Sequence, residues 1–386
     1  MTMIEGFATG LLDRVLFGLP FLFVLTVVVF IHELGHFLVA RWCGVKVKIF
    51  SIGFGKEVVG FFDSHGTRWR LAWIPLGGYV KFMDDENAAS VPSRDAIERM
   101  TPAERTGSFH AKPLWKKSAI VAAGPIANFL LAILVFAIVA YAHGVRRTDP
   151  RVEAVIAGSA AEEAGLQAGD LIIDVNGSKI TSFGDLQRVV SLSAGRKLDI
   201  TIRRGETTLA VPITPRKLTI EDPIGGATED WRIGIQQTSA GSKVEITNPS
   251  PIEALWFGVT QTKDIALTTI YYVYDVVSLR RSPNQLGGPV RIADISGKMA
   301  KLGFEYLIQL TCIISVSVGL INLMPIPLLD GGHLLFYGIE AVRRRPLSER
   351  SQEIGFRIGL AFVVMLMMLA TFNDLPILKR WLVGSG

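Results

Sequence analysis

Only two cysteines, Cys43 and Cys312, occur in the 386 residues of this chain. One stands at the edge of an apolar run and the other inside one, which excludes both a disulfide framework and a thiolate metal site. Any metal must therefore be held by histidine and carboxylate. Charge is scarce as well: Asp, Glu, Lys and Arg make up 19% of the chain against 49% hydrophobic residues, and mean hydropathy is +0.37. That balance excludes an ordinary soluble protein, yet long polar stretches separate the apolar ones, as in a polytopic membrane protein with at least one soluble domain. The net charge of +5 and pI near 9.2 come without an aromatic-laced basic stripe, so nucleic acid is not an expected partner. The basic residues gather beside the apolar runs, where they act as topology signals.

Four apolar runs are candidate spans: Val15 to Ala40, Ser118 to Ala142, Leu307 to Met324 and Ile358 to Phe372. Arg14 ahead of the first imitates a secretory signal, but cleavage there would discard or strand the motif described next, so the run is read as retained. Arg41, Lys46, Lys48, Arg68, Arg70, Lys112, Lys116 and Lys117 lie between the first two runs; Arg343, Arg344, Arg345 and Arg350 lie between the last two. The positive-inside rule puts both connections in the cytoplasm and the segment from Gly144 to Lys301, with both termini, outside.

The first run ends in His32-Glu33-Leu34-Gly35-His36. On a helix the two imidazoles, four residues apart, share one face and can grip one zinc ion, with Glu33 beside it as candidate general base. Ionisable groups inside a span are expensive and usually functional. A catalytic zinc site needs a third protein ligand. Near the end of the third run stands Asn322-Leu323-Met324-Pro325-Ile326-Pro327-Leu328-Leu329-Asp330-Gly331-Gly332-His333. Two prolines interrupt the helix, and freed backbone at membrane depth is tolerable only where it lines a cavity or is buried in protein. Asp330 is the carboxylate in this break, His333 is a rival ligand, and a helix-capping role for Asp330 is the plain alternative.

Between the first two runs, Val45 to Phe50 and Thr67 to Ile74 alternate as half-buried strands do, and Gly77, Gly78, Tyr79, Val80, Lys81 and Phe82 form another extended piece. A small membrane-associated sheet is expected there, able to pack under the helices and to offer an edge to an extended peptide. In the second run, Gly124 and Asn128 are read as helix-packing residues. From Arg151 to Pro215 the order is a strand at Val152 to Ile156, a helical turn at Ser159 to Gly165, Gly169-Asp170 leading a strand into the tight turn Asn176-Gly177, a helix over Phe183 to Leu192 and a closing strand at Leu198 to Arg203. This grammar resembles a PDZ domain of the bacterial, protease-associated type, a class that binds extended peptides or free C-termini. Leu218 to Ser250 is strand-like without a second copy of the signature, and Pro251 to Leu279 reads as an amphipathic helix lying along the membrane surface.

Taken together, H-E-x-x-H, the G-x-x-x-N stretch at Gly124 to Asn128, the outer PDZ-like segment and N-x-x-P-x-P-x-L-D-G from Asn322 to Gly331 resemble the bacterial site-2 proteases of the RseP type. The resemblance implies a polytopic α-helical membrane protein with about four transmembrane helices, a small membrane-associated β-sheet and an extracytoplasmic PDZ domain of α+β class. It implies Zn2+ held by His32, His36 and Asp330, with Glu33 as catalytic base. It also implies that Asn322 and the loop Gly77, Gly78, Tyr79, Val80, Lys81 and Phe82 bind substrate. The implied location is the bacterial inner membrane, with the active site toward the cytoplasmic side. The implied substrates are single-span membrane proteins pre-cleaved by another protease, such as an anti-sigma factor, together with remnant signal peptides.

These readings divide the chain into a first spanning helix with the zinc motif (1–42), a cytoplasmic-side β region (43–117), a second span (118–143), a PDZ domain (144–217), a strand region with an amphipathic helix (218–303), a third span with the proline-broken motif (304–342), and a basic connection with the fourth span (343–386). Two other functions compete: a non-proteolytic PDZ scaffold with structural zinc, for which Glu33 would be superfluous, and an ion transporter, for which further intramembrane charges are lacking. The topology is open to direct measurement. A cysteine placed at Ser178 should react with an impermeant thiol reagent from outside and one at Ser348 should not; the reverse pattern overturns the orientation.

Overall fold

The computed structural model describes residues 3–84, 100–222, 226–237, 244–278 and 287–383. Leu279, the expected end of the amphipathic helix, lies outside the described residues. Four helices are long and apolar enough to cross a membrane, over Gly18–Trp42, Leu114–His143, Phe304–Leu323 and Arg350–Lys379, in the four places where apolar runs were expected. The chain forms two compact units, Met1–Val135 with Leu286–Gly386, and Phe136–Gln285.

In the first unit, α1 (Met3–Trp42) leads into two long bent strands, β1 (Val47–Phe62) and β2 (Arg68–Phe82), followed by the short α2 (Pro102–Gly107) and by α3 (Leu114–His143), whose last turns belong to the second unit. The two strands fold on themselves: Ile49 to Ile52 pair with Arg68 to Leu71 and also with Gly78 to Lys81, while Val59 to Phe62 pair with the far side of Arg68 to Leu71. The last stretch of β2 is thus a sheet edge. Beneath the sheet, Phe37 of α1, Phe50, Phe82, Phe109 and Ile120 form an aromatic-rich core, with the Phe50 and Trp69 rings 4.3 Å apart. Asp63 closes the hairpin turn by accepting from His65 N and Thr67 N, each at 2.9 Å. It also accepts from Arg41 Nη1 at 2.9 Å, tying the hairpin to the end of α1.

The C-terminal part of this unit comprises α7 (Pro289–Leu302), α8 (Phe304–Leu323), α9 (Asp330–Arg343) and α10 (Glu349–Val383); the intervening α4 to α6 belong to the second unit and are described below. Helix α10 outruns the expected Ile358 to Phe372 at both ends. A Glu353–Arg357 pair at 2.6 Å supports its polar beginning. Asp374, two residues beyond the expected span, is 1% exposed and accepts the backbone N–H groups of Gly288, Val290 and Arg291 at 3.0 to 3.1 Å. A carboxylate satisfied by the open N-terminus of α7 can stay in an apolar helix.

The second unit begins with β3 (Val145–Thr148), β4 (Ala154–Val155) and the one-turn α4 (Ala160–Glu163). A four-stranded sheet of order β6-β5-β7-β8 then forms from β5 (Leu171–Val175), β6 (Ser178–Lys179), β7 (Leu198–Arg204) and β8 (Thr207–Ile213). The β5–β6 turn is Asn176-Gly177, both with positive φ (51° and 79°), as a two-residue hairpin turn requires. Helix α5 (Phe183–Leu192) buries Leu186 and Val190 against Ile172, Val175, Ile200 and Ile202. Leu198 to Arg203 does not close the sheet; β8 does, and its mostly exposed side chains hide that role from periodicity.

Beyond it, β9 (Arg216–Asp222) and β10 (Gly226–Arg232) form a hairpin. Strand β11 (Ile235–Gln236) returns to pair with β4, and β12 (Val244–Thr247) with β3. Helix α6 (Pro251–Val277) opens with a Ser250–Glu253 capping box, and an Arg188–Asp264 ion pair joins α5 to α6. That pairing accounts for the acidic residue in the middle of an otherwise apolar pattern.

Asp170 holds the sheet to the preceding turn. It is 1% exposed, receives Arg204 Nε at 2.7 Å and Nη2 at 2.8 Å, and accepts Gln167 N at 2.9 Å. The Arg204 guanidinium holds its carboxyl below the usual range. A folded-state value below the unfolded one stabilises fully above about pH 4 and is lost as pH falls through the lowered value. Asp170→Ala should cost this unit about 2 kcal/mol, discounted for the partly exposed Arg204. Amide exchange across β7 and β8 measures it, and acidification should speed that exchange more in the wild type than in Asp170→Asn.

Candidate active site

Helix α1 carries His32 and His36 on one face because a four-residue step is close to one turn. Their Nε2 atoms lie 3.2 Å apart. Asp330 Oδ2 approaches from α9, 3.2 Å from His32 Nε2 and 3.5 Å from His36 Nε2. Among the described residues this is the one cluster of three groups able to hold a metal ion.

Local sequence explains how Asp330 gets there. Helix α8 ends at Leu323, and the stretch with Pro325 and Pro327 runs to Leu329 before α9 begins. Leu328 adopts φ 100°, a conformation costly for a side chain of that size. A Cβ on Gly331 would stand 2.2 Å from Met324 O, and one on Gly332 2.4 Å from Ile326 O, so only glycine lets α9 fold back on the broken segment. Asp330 is the first residue of α9, and no side chain caps this helix, so Asp330 does not act as its cap. The His333 ring packs beside Tyr337 and Phe356, with centroids 6.4 Å and 5.4 Å away.

The donor set suits zinc. His36 Nδ1–H donates to Ile120 O at 2.8 Å, which leaves the Nε2 lone pair facing the cluster. Asp330 Oδ2 is buried without a hydrogen-bond partner. Electron-pair donors that face one another out of water repel unless a cation lies among them, and two imidazoles with one carboxylate are zinc's usual ligand types.

Glu33 stands beside the cluster, with the backbone N–H of Val80 on the β2 edge close to its carboxylate. Gly78 lies against it, since a Cβ there would meet Glu33 Cγ at 3.0 Å. Asn322 Nδ2 is 3.5 Å from His32 Nε2. Of the extended segment, Gly78 and Val80 therefore reach the site. Tyr79 is bonded to Arg70 and stacks on Phe54, and Phe82 is buried against Phe109. Gly77 abuts the Phe54 ring, and Lys81 takes part in pairing with Ile49.

Two residues read from sequence as helix packing lie against the histidines. A Cβ on Gly124 would lie 2.3 Å from His36 Nε2, and Asn128 Nδ2 lies 3.3 Å from His32 Nδ1. The signal was available: Gly124 and Asn128 repeat the four-residue spacing of His32 and His36 on a neighbouring helix.

Comparison with known proteins gives the family of the chain. Residues 20–366 match Peptidase_M50, peptidase family M50. A Rhizobium meliloti protein named "Putative zinc metalloprotease R01501" is 44% identical over 375 residues, covering 97% of this chain and 99% of that protein. A Mesorhizobium japonicum protein named "Putative zinc metalloprotease mll0638" is 47% identical, covering 92% and 97%. "Metalloprotease MmpA" of Caulobacter vibrioides is 38% identical, covering 92% and 94%. The chain belongs to peptidase family M50, the site-2 protease family, and is a zinc metalloprotease.

Gly124→Ala should push the His36 ring aside. Zinc affinity, measured by chelator competition, is expected to fall about tenfold or more, as for other disturbed ligand geometries. An unchanged affinity would show that the ring has room to move.

Proposed function

We propose that this chain is an intramembrane endopeptidase that hydrolyses peptide bonds in or near the transmembrane segments of single-span membrane proteins. One observation carries the reading: a zinc-type donor triad with a glutamate beside it has its two histidines on a helix of spanning length and lies against an open sheet edge. His32, His36 and Asp330 would hold zinc, and zinc there supplies Lewis-acid activation of water and of the scissile carbonyl.

Glu33 takes a proton from the attacking water and hands it to the leaving amine. The Asn322 amide, close to the same point, orients the peptide carbonyl. A helical substrate hides its carbonyls in its own hydrogen bonds and must unwind first. Pairing with the Gly77 to Phe82 edge replaces those bonds.

In this reading the protein lies in the bacterial inner membrane, with the site toward the cytoplasm and the segment from Gly144 to Lys301 outside, as the basic connections indicate. Within that segment, residues 144–217 are a PDZ domain. In its support, Phe183, Leu186 and Val190 of α5 with Ile233 and Ile235 line an apolar cleft of about 240 Å³, suited to an extended peptide or C-terminus. Substrates are single-span regulators such as an anti-sigma factor, delivered after an outer cut by another protease, and remnant signal peptides; the family resemblance supports this part.

Glu33→Gln should abolish cleavage of a co-expressed single-span protein while zinc content and membrane insertion stay near wild type. Substantial turnover by the purified variant removes Glu33 as the base. The edge is tested by Val80→Pro against Val80→Ala. Losing the donor should lower cleavage about tenfold, the worth of one hydrogen bond, with zinc content equal. Since Val80 N–H also lies beside Glu33, the discriminating result is dependence on substrate. A strongly helical span should suffer more than one loosened by Gly or Pro near the cut, and an equal loss leaves the edge with only its contact to Glu33.

A further inference from the structure

Two histidines face the zinc position, but only one has its far nitrogen settled by the main chain. His36 Nδ1 meets a carbonyl, Ile120 O at 2.8 Å, which can only accept, so the proton is on Nδ1 and Nε2 is free to bind. Among the described residues no carbonyl does this for His32. Its Nδ1 lies 3.3 Å from Asn128 Nδ2, and Asn128 Oδ1 is buried without a partner. With the amide turned that way it donates into Nδ1, and the ring proton must sit on Nε2, aimed at Asp330. That tautomer cannot bind a metal through Nε2.

A half-turn of the amide exchanges oxygen and nitrogen with little change of shape, and either orientation leaves one end of the amide without a partner. The choice therefore rests on His32. We infer that Asn128 is a positioning residue of the zinc site: its Oδ1 accepts the Nδ1–H of His32, fixing the tautomer and the ring plane that present Nε2 to the metal.

The surroundings fit this role. Asn128 is fully buried, and an amide inside an apolar helix needs a partner that justifies its desolvation. It is also clamped: Ser315 Oγ–H donates to Asn128 O at 3.0 Å, and Gly319 brings α8 so close that a Cβ there would meet Asn128 Cβ at 3.2 Å. The two supports share one design, since Gly124 makes room for His36 and Asn128 sets His32. An acceptor on the far nitrogen also raises the basicity of the ligating one.

The test measures zinc affinity of the full-length chain in detergent by chelator competition. Asn128→Leu keeps the shape and removes the acceptor, so affinity should fall about 10- to 100-fold, as for other residues that orient a ligating histidine. Asn128→Asp can only accept, so it should hold zinc within about threefold of wild type or more tightly. With cobalt(II) in place of zinc, the visible bands should shift in the Leu variant and not in the Asp variant. Wild-type affinity in a folded Asn128→Leu overturns the assignment. So does a folded Asn128→Asp that loses zinc as the Leu variant does, because an amide needed only as a donor or as packing is not replaced by a carboxylate. If Asn128→Leu does not fold, the Asp variant decides alone on the same criterion.

Discussion

Two imidazole nitrogens and a carboxylate oxygen point at one another across 3.2 to 3.5 Å. Such an arrangement opposes ordinary folding forces, since each group loses water and none can donate to the others once both rings carry their protons on Nδ1, His36 toward Ile120 O and, in the tautomer inferred above, His32 toward Asn128. It persists because the surroundings over-determine it. Helix α1 sets the spacing of the histidines, and α3 lies close enough for Gly124 and Asn128 to touch both rings. The broken segment after α8 delivers Asp330 from the other side. The zinc ion that the family uses supplies the missing attraction.

Glycine does the work of close approach throughout this centre. Gly35 faces the α3 backbone, where a Cβ would meet Ala123 O at 2.3 Å; Gly331 and Gly332 let α9 fold back on the proline-broken segment. In an apolar medium, where burial of hydrocarbon gives helices little reason to associate, such backbone proximity is a main source of packing energy. The same logic governs Asp374. Its carboxylate is tolerated within α10 because it answers the unpaired N–H groups that open α7, so one polar contact satisfies two elements.

In the proposed reading the sheet adds function to this frame through its edge. The Val80 N–H lies close to the Glu33 carboxylate, so the segment expected to receive a substrate strand also neighbours the group expected to move protons. A peptide laid along that edge comes within reach of the carboxylate. Proximity of that kind is how a site acquires effective concentration without further contacts.

Much of this was written in the sequence because it depends on local rules. Apolar run length marks four helices able to span, the four-residue histidine spacing marks a metal-binding face, and Asn176-Gly177 marks a hairpin turn. The third donor was legible only as far as a proline-broken stretch with a carboxylate; that Asp330 meets the histidines while His333 packs among rings is a matter of long-range placement. Strand β8 carried no alternation to reveal it, and β11 and β12 were too short to announce that they return to β4 and β3. Asn128 looked like packing because an amide in an apolar helix reads the same whether its partner is a backbone or an imidazole. Tertiary structure decided these points because each depends on which helix lies opposite, and periodicity along one chain segment holds no record of its neighbours.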